Sequence, residues 1–125
     1  NKIELEDVLI GPKGDKNNLS NLNKEKIYIF SALGDHTGFE NTMNNTGAII
    51  VGHSKYPDHH NYTSNDLKNI EQVAKNNNAN FLITTEKDLV KINNYKGKMS
   101  LYAVRIKLVF EPESLLNEYL EKFVS

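Results

Sequence analysis

"KIYIFSAL", residues Lys26 to Leu33, is an almost unbroken apolar run with a lysine-rich approach and Gly34–Asp35 behind it. A strand wetted on one face alternates apolar and polar residues, so a continuous run of this length suits a strand covered on both faces, as in a parallel sheet. Similar runs follow at "AIIVGHS" (Ala48 to Ser54), "NFLITT" (Asn80 to Thr85) and "LYAVRIKLVF" (Leu101 to Phe110). Helical patterns fall between them. Phe39 and Met43 lie four apart, ahead of Gly47, which is placed to end that helix. Thr63 and Asp66 have the spacing of a capping box, and Leu67, Ile70, Val73 and Ala74 then form one apolar stripe. "EKDLVKI" reads as a short helical turn after the third strand. Pro112 and Glu113 start a last helix whose Leu115, Leu116, Tyr119, Leu120 and Phe123 face a core. This order predicts an α/β fold: a mostly parallel sheet of about four core strands, with helices on both faces in three layers.

The opening is different. Ile3, Leu5, Val8, Leu9 and Ile10 alternate weakly, "GPKGDKNN" reads as a turn, and a weak edge strand is the most they support. The expected organisation is a linker or edge-strand segment over 1–24 and an α/β domain over 25–125. A length of 125 residues with 38% hydrophobic and 25% charged content fits one soluble globular domain. Fifteen basic against sixteen acidic side chains give no field for a sequence-independent grip on nucleic acid. The absence of cysteine excludes disulfides, thiolate metal sites and a thiol nucleophile. No apolar run approaches the ~20 residues that span a bilayer, and no signal peptide pattern opens the chain. With Asn1 first and a polar, turn-rich start, the chain reads as a soluble piece of something longer.

In open parallel sheets, ligands gather at the carboxyl ends of the strands. The loops after Leu33, Ser54 and Thr85 should share that rim, and they carry "GDHTG", "KYPDHHNY" and "TTEKD". His36, His53, His59 and His60, with Asp35 and Asp58, are candidate nitrogen and oxygen ligands for a metal. Against that, adjacent side chains such as His59 and His60 diverge and the i, i+4 pairing of HExxH is absent, so no metal is assigned. A histidine oriented by a neighbouring carboxylate also suits general acid–base work. The bland alternative has Asp58 capping a turn and His60 on the solvated surface; Pro57 and the place on the rim favour function. For "TTEKD", Lys87 or a carboxylate reaching a phosphate or sugar hydroxyl competes with a helix start capped by Thr85, with Glu86 and Asp88 at its positive end. Spacing favours the helix start. There is no G-x-x-x-x-G-K-[ST] and no G-x-S-x-G.

Two motifs together go further. "YPDHHNYTSNDL" (Tyr56 to Leu67) followed one helix later by "ANFLITTEKDLVKI" (Ala79 to Ile92) resembles the C-terminal half of the tetraacyldisaccharide 4'-kinase family, the lipid A 4'-kinases of Gram-negative bacteria. The family pattern is an aromatic-P-D-H-H segment, a Y/F-T-x-x-D-L helix start and a T-T-E-K-D-A-V-K-[LI] strand exit. The layout of "IYIFSALGDHTGFENTMNNTGAIIVGHSKYPDHH" also agrees, so the resemblance runs from about Lys24 to the end. The chain departs from it at "ALGDHTGF", where the family has G-I-x-x-P-x-x-F, and at Leu89, where alanine is common.

The resemblance implies transfer of phosphate from ATP to the 4'-hydroxyl of a tetraacylated, lipid-linked glucosamine disaccharide 1-phosphate, at the cytoplasmic face of the inner membrane. It implies that ATP and Mg2+ are held mainly by a P-loop domain absent from this chain, that this chain alone binds neither, and that alone it is inactive. Carried over by motif, His59 and Asp58 are the catalytic candidates, and His60, Thr85, Glu86, Lys87 and Asp88 support the cleft or contact substrate. The expected partners are that substrate and the P-loop domain. Two other readings stand beside this one: a non-catalytic substrate- or partner-binding α/β module, and a metal-dependent phosphoesterase that shares the "DHH" string.

Overall fold

The computed structural model describes residues 2–92 and 95–109. The helix expected from Pro112 lies outside them. In chain order the elements are β1 (Lys2–Ile10), β2 (Lys16–Asn17), a 3-10 turn (Leu19–Leu22), β3 (Lys26–Ser31), α1 (His36–Asn44), β4 (Ile49–Lys55), α2 (Ser64–Asn76), β5 (Phe81–Thr85), α3 (Glu86–Leu89) and β6 (Ser100–Val109). They build one sheet in the order β2-β1-β6-β5-β3-β4. The four strands read from the apolar runs pair in parallel, and β1 is antiparallel to both β6 and β2. The fold is thus the mostly parallel α/β sheet that the alternation of runs predicts.

The continuous run of β3 is buried on both sides. Ile27 and Ile29 join Phe39 and Met43 of α1, together with Ile83 and Val104. Tyr28 and Phe30 join Ile70 and Ala74 of α2, with Leu82 and Leu101. Each large apolar side chain so buried contributes roughly 1.5–3 kcal/mol, which is why β3 tolerates no polar alternation. The helix ends follow local chemistry. Asp35 caps α1 by accepting the Gly38 N–H at 2.8 Å, and Gly47 leaves it at φ +85°, where a side chain is disfavoured. Thr63 and Asp66 form the predicted capping box on α2.

The opening segment behaves differently from expectation. β1 lies inside the sheet between β2 and β6, and the edge is β2, two exposed residues long. Leu9 and Ile10 point to opposite faces and enter the two separate core clusters, so both are buried. Glu4, Glu6 and Asp7 dilute the apolar pattern and hide that strand. Val73 also departs from the predicted stripe, at 42% exposed; α2 buries a narrower face, led by Ile70 and Ala74.

From β3 the chain moves to β4 on one side, and from β5 it moves to β6 on the other. The loops leaving the carboxyl ends of β3 and β5 therefore diverge, and a crevice at such a switch point is where open α/β sheets hold ligands.

Candidate functional site

The three rim loops are tied to one another. His36 Nε2 lies 3.0 Å from the Tyr56 carbonyl, the Ala32 N–H donates to Asp88 Oδ2 at 3.3 Å, and Lys87 Nζ stands 3.5 Å from Asp58 Oδ1. "GDHTG", "KYPDHHNY" and "TTEKD" thus share one edge, as the strand order requires.

In the second loop, the Tyr56 N–H donates to Ser31 O at 2.9 Å and the His60 N–H to Pro57 O at 3.1 Å, a tight turn after the proline. Between them His59 sits at φ +66°. This left-handed conformation costs an L residue on the order of 1 kcal/mol, and the ring it carries is 77% exposed. Asp58 accepts the His59 N–H through Oδ1 at 3.0 Å and holds Oδ2 3.6 Å from His59 Nε2. Partial desolvation raises the Asp58 pKa, but the charges of His59 and Lys87 and the His59 N–H outweigh it and leave the carboxyl below its ordinary value. The structure therefore brings Asp58, His59 and Lys87 together, facing solvent.

His60 has a different place. Its ring stacks on Tyr56 with centroids 4.5 Å apart and meets Tyr62 edge-on at 5.3 Å. Its Nε2 bonds Asp66 Oδ2 at 2.8 Å, so it braces the loop against the start of α2. The Asp66 carboxyl is held below its usual value, first by the Thr63 N–H and then by His60.

The third loop is largely internal. Thr84 Oγ1 donates to Phe30 O at 2.8 Å. Thr85 Oγ1 donates to Asp88 Oδ2 at 2.6 Å and accepts the Asp88 N–H at 3.1 Å, and both residues are buried. Asp88 Oδ1 and the Tyr62 hydroxyl are buried without a hydrogen-bond partner among the described residues. Burial, then the Asp88 charge and the close approach of that carboxylate to the hydroxyl, push the Tyr62 phenol far above its ordinary value. Glu86 is engaged by Arg105: Nε donates to Oε1 at 3.0 Å and Nη2 to Oε2 at 2.9 Å, while Nη1 reaches Glu6 Oε2 at 3.3 Å. That fork holds the Glu86 carboxyl below its usual range. Arg105 was not legible as a partner from sequence; the available signal was a lone arginine inside an apolar strand.

The rim thus presents an exposed imidazole beside a carboxylate and an ammonium, a set able to take up a proton and to contact an anionic group. His36 and His53, also counted among possible metal ligands, point their nitrogens at Ser31, the Tyr56 carbonyl and Glu40. Among the described residues no three histidine or acidic side chains converge as a metal ion requires. A groove of about 770 Å³ lies elsewhere, between α2 and residues 95–98, with Lys68, Glu71, Tyr95 and Lys98 in its walls. None of the candidate residues lines it.

Residues 3–125 match the sequence model of the family described as tetraacyldisaccharide-1-P 4'-kinase. Relatives carrying the name tetraacyldisaccharide 4'-kinase include that of Desulfatibacillum aliphaticivorans, 33% identical over 112 residues, which covers 89% of this chain and 30% of the relative. That of Rickettsia canadensis is 38% identical over 105 residues (83% and 32%), and that of Rickettsia typhi 40% over 104 residues (82% and 32%). The chain therefore spans about a third of the length of the curated relatives it matches. Among solved structures, LpxK from Aquifex aeolicus in complex with ATP aligns over 96% of this chain and 34% of its own, with a TM-score of 0.55 at 22% identity, a likeness of fold. No helix among the described residues is long and apolar enough to cross a membrane. With the family match running over nearly its whole length, the chain belongs to the tetraacyldisaccharide-1-P 4'-kinase family.

Proposed function

We propose that this chain supplies one wall of the catalytic cleft of an ATP-dependent kinase that phosphorylates the 4'-hydroxyl of a tetraacylated glucosamine disaccharide 1-phosphate in lipid A synthesis, at the cytoplasmic face of the inner membrane. The observation that carries this is the group Asp58, His59 and Lys87, which faces solvent at the carboxyl ends of the strands in a chain of this family. Phosphoryl transfer depends mainly on positioning and on stabilising charge, so a wall without a P-loop still contributes to the reaction. In this reading His59 accepts the proton of the acceptor hydroxyl, Asp58 orients its ring, and Lys87 holds Asp58 and faces the phosphate side.

Thr85, Asp88 and His60 act on substrate only through the loops they hold, since each is committed to bonds within the rim. Glu86 serves in the same way through Arg105. The chain's own residues do not fit a magnesium site: Asp88 is buried, Glu86 is forked onto Arg105, Asp35 caps α1, and among the described residues no three acidic or histidine side chains converge. We place ATP and magnesium on a P-loop domain encoded outside this chain, and expect this chain alone to be inactive. In the full-length enzyme, His59→Ala should lower kcat by about 10²–10⁴, the usual contribution of a positioned acid–base group, with the circular dichroism spectrum unchanged. An unaltered kcat removes His59 from the mechanism.

A further inference from the structure

Behind the loop, side chains from β3, α1 and β4 form one line of hydrogen bonds. His36 Nε2 lies 3.0 Å from Tyr56 O, His36 Nδ1 2.8 Å from Ser31 Oγ, His53 Nε2 3.0 Å from that same oxygen, and His53 Nδ1 3.1 Å from Glu40 Oε2. Ser31 is fully buried and the His53 side chain is 5% exposed, whereas that of Glu40 is 39% exposed.

Each contact needs one hydrogen. A carbonyl only accepts, so His36 must carry its hydrogen on Nε2. Neutral His36 then has a bare Nδ1, which takes the Ser31 hydroxyl hydrogen. Ser31 has no other to give, so it accepts from His53 Nε2–H. Neutral His53 is left turning a bare Nδ1 towards the Glu40 carboxylate. Four contacts face three hydrogens, one each from His36, Ser31 and His53. The line closes only with an added proton.

We propose that Ser31, His36, His53 and Glu40 are a positioning relay that closes on one added proton: His36, in its Nε2–H tautomer, clamps the Tyr56 carbonyl at the base of the loop carrying Asp58 and His59, and Glu40 is the contact that opens when the proton leaves. Opening falls on Glu40 because it can turn into water at little cost. The Tyr56 carbonyl does not turn away freely, since the following Pro57 restricts residue 56 to extended backbone and the Tyr56 N–H is anchored on Ser31 O at 2.9 Å. A bare Nε2 facing that carbonyl would leave both groups unsatisfied. The groups facing His53 are Glu40, His36 and the edge of Phe39 from α1, Ser31 from β3, and Lys55 from its own strand. Burial lowers the His53 pKa most, Glu40 offsets part of this, and His36 and Lys55 add to the lowering. The relay is therefore open at Glu40 near neutrality and closes on the acid side. This rests on the loop's geometry and not on the kinase reading.

The test is imidazole nitrogen NMR on the 125-residue chain, wild type against Glu40→Gln. A glutamine amide donates to the bare Nδ1, so the neutral relay becomes complete without an added proton. Well above the ordinary histidine pKa of about 6.5, His36 should show the Nε2–H tautomer in both proteins. On acidification the wild-type pair should take up one proton before a second, and the variant should take it up at least one pH unit lower, a tenfold loss of proton affinity. His59, outside the relay, should titrate alike in both. Ser31→Ala should uncouple the two histidines. The proposal is overturned if His36 adopts the Nδ1–H tautomer, or if His36 and His53 titrate independently and are unmoved by Glu40→Gln.

Discussion

Asp88→Ala is the substitution whose cost the structure defines best. The Asp88 side chain is fully buried, and its Oδ2 accepts the Thr85 hydroxyl at 2.6 Å and the Ala32 N–H at 3.3 Å. Removing it orphans two donors in a site closed to water, since Ala32 and Thr85 are 0% and 2% exposed. Each orphaned group costs about 1–3 kcal/mol. Thr85 loses less than that, because its oxygen still accepts the residue-88 N–H. On the other side, deletion removes Asp88 Oδ1, which lacks a partner of ordinary hydrogen-bond geometry, but also takes away its contact with the Tyr62 hydroxyl, and these two effects offset each other. The Ala32 donor lost in full and the Thr85 donor lost in part leave a net destabilisation of about 2–3 kcal/mol, or a fall in Tm on the order of 10 °C for a chain of this size. Urea denaturation followed by circular dichroism measures it. Thr85→Val in the same background should cost less than the sum of the single changes by about 1 kcal/mol, because the pair is then removed together. A loss below about 0.5 kcal/mol, the level of an ordinary surface change, with additive single effects, would refute the account of Asp88 as the bolt between the first and third loops.

Gly52→Ala should destabilise by about 1–3 kcal/mol through overpacking, because a Cβ there would run into the Tyr28 ring at Cε2 on the neighbouring strand; an unchanged urea midpoint contradicts that packing. Stability should also fall with acidification from neutrality before the carboxylates titrate. His53 has a lowered pKa in the fold, so below the unfolded value the unfolded chain binds more protons, and stability present above about 6.5 is lost as pH falls through the folded value. Urea midpoints across that window should show this slope, steeper in Glu40→Gln, where the group that raises the His53 pKa is gone; a flat profile in both proteins contradicts the sign.

Much of this was readable in advance because it is local. The run at Lys26 to Leu33, the Thr63–Asp66 capping box and the Phe39–Met43 pair depend on neighbours within a few residues, and the structure carries all three. Even the shared rim follows from alternating strands and helices. The Asp58–His59 juxtaposition is equally local, being adjacent in the chain.

The rest depends on contacts that periodicity does not encode. β1 is an interior strand because β6, about a hundred residues away, pairs with one side of it and β2 with the other. Glu86 and Asp88 occupy neighbouring positions in one acidic motif, yet one is forked onto Arg105 and the other is buried under Ala32, 56 residues away. His36 and His53, candidates for a metal by composition, are held apart from one by Ser31 and Glu40. What the sequence determined by itself was where strands, helices and rim loops fall, since apolar spacing and caps act over one or two turns. Which rim side chains stay free was decided only in three dimensions, where buried donors and acceptors must find partners from whichever strand lies alongside.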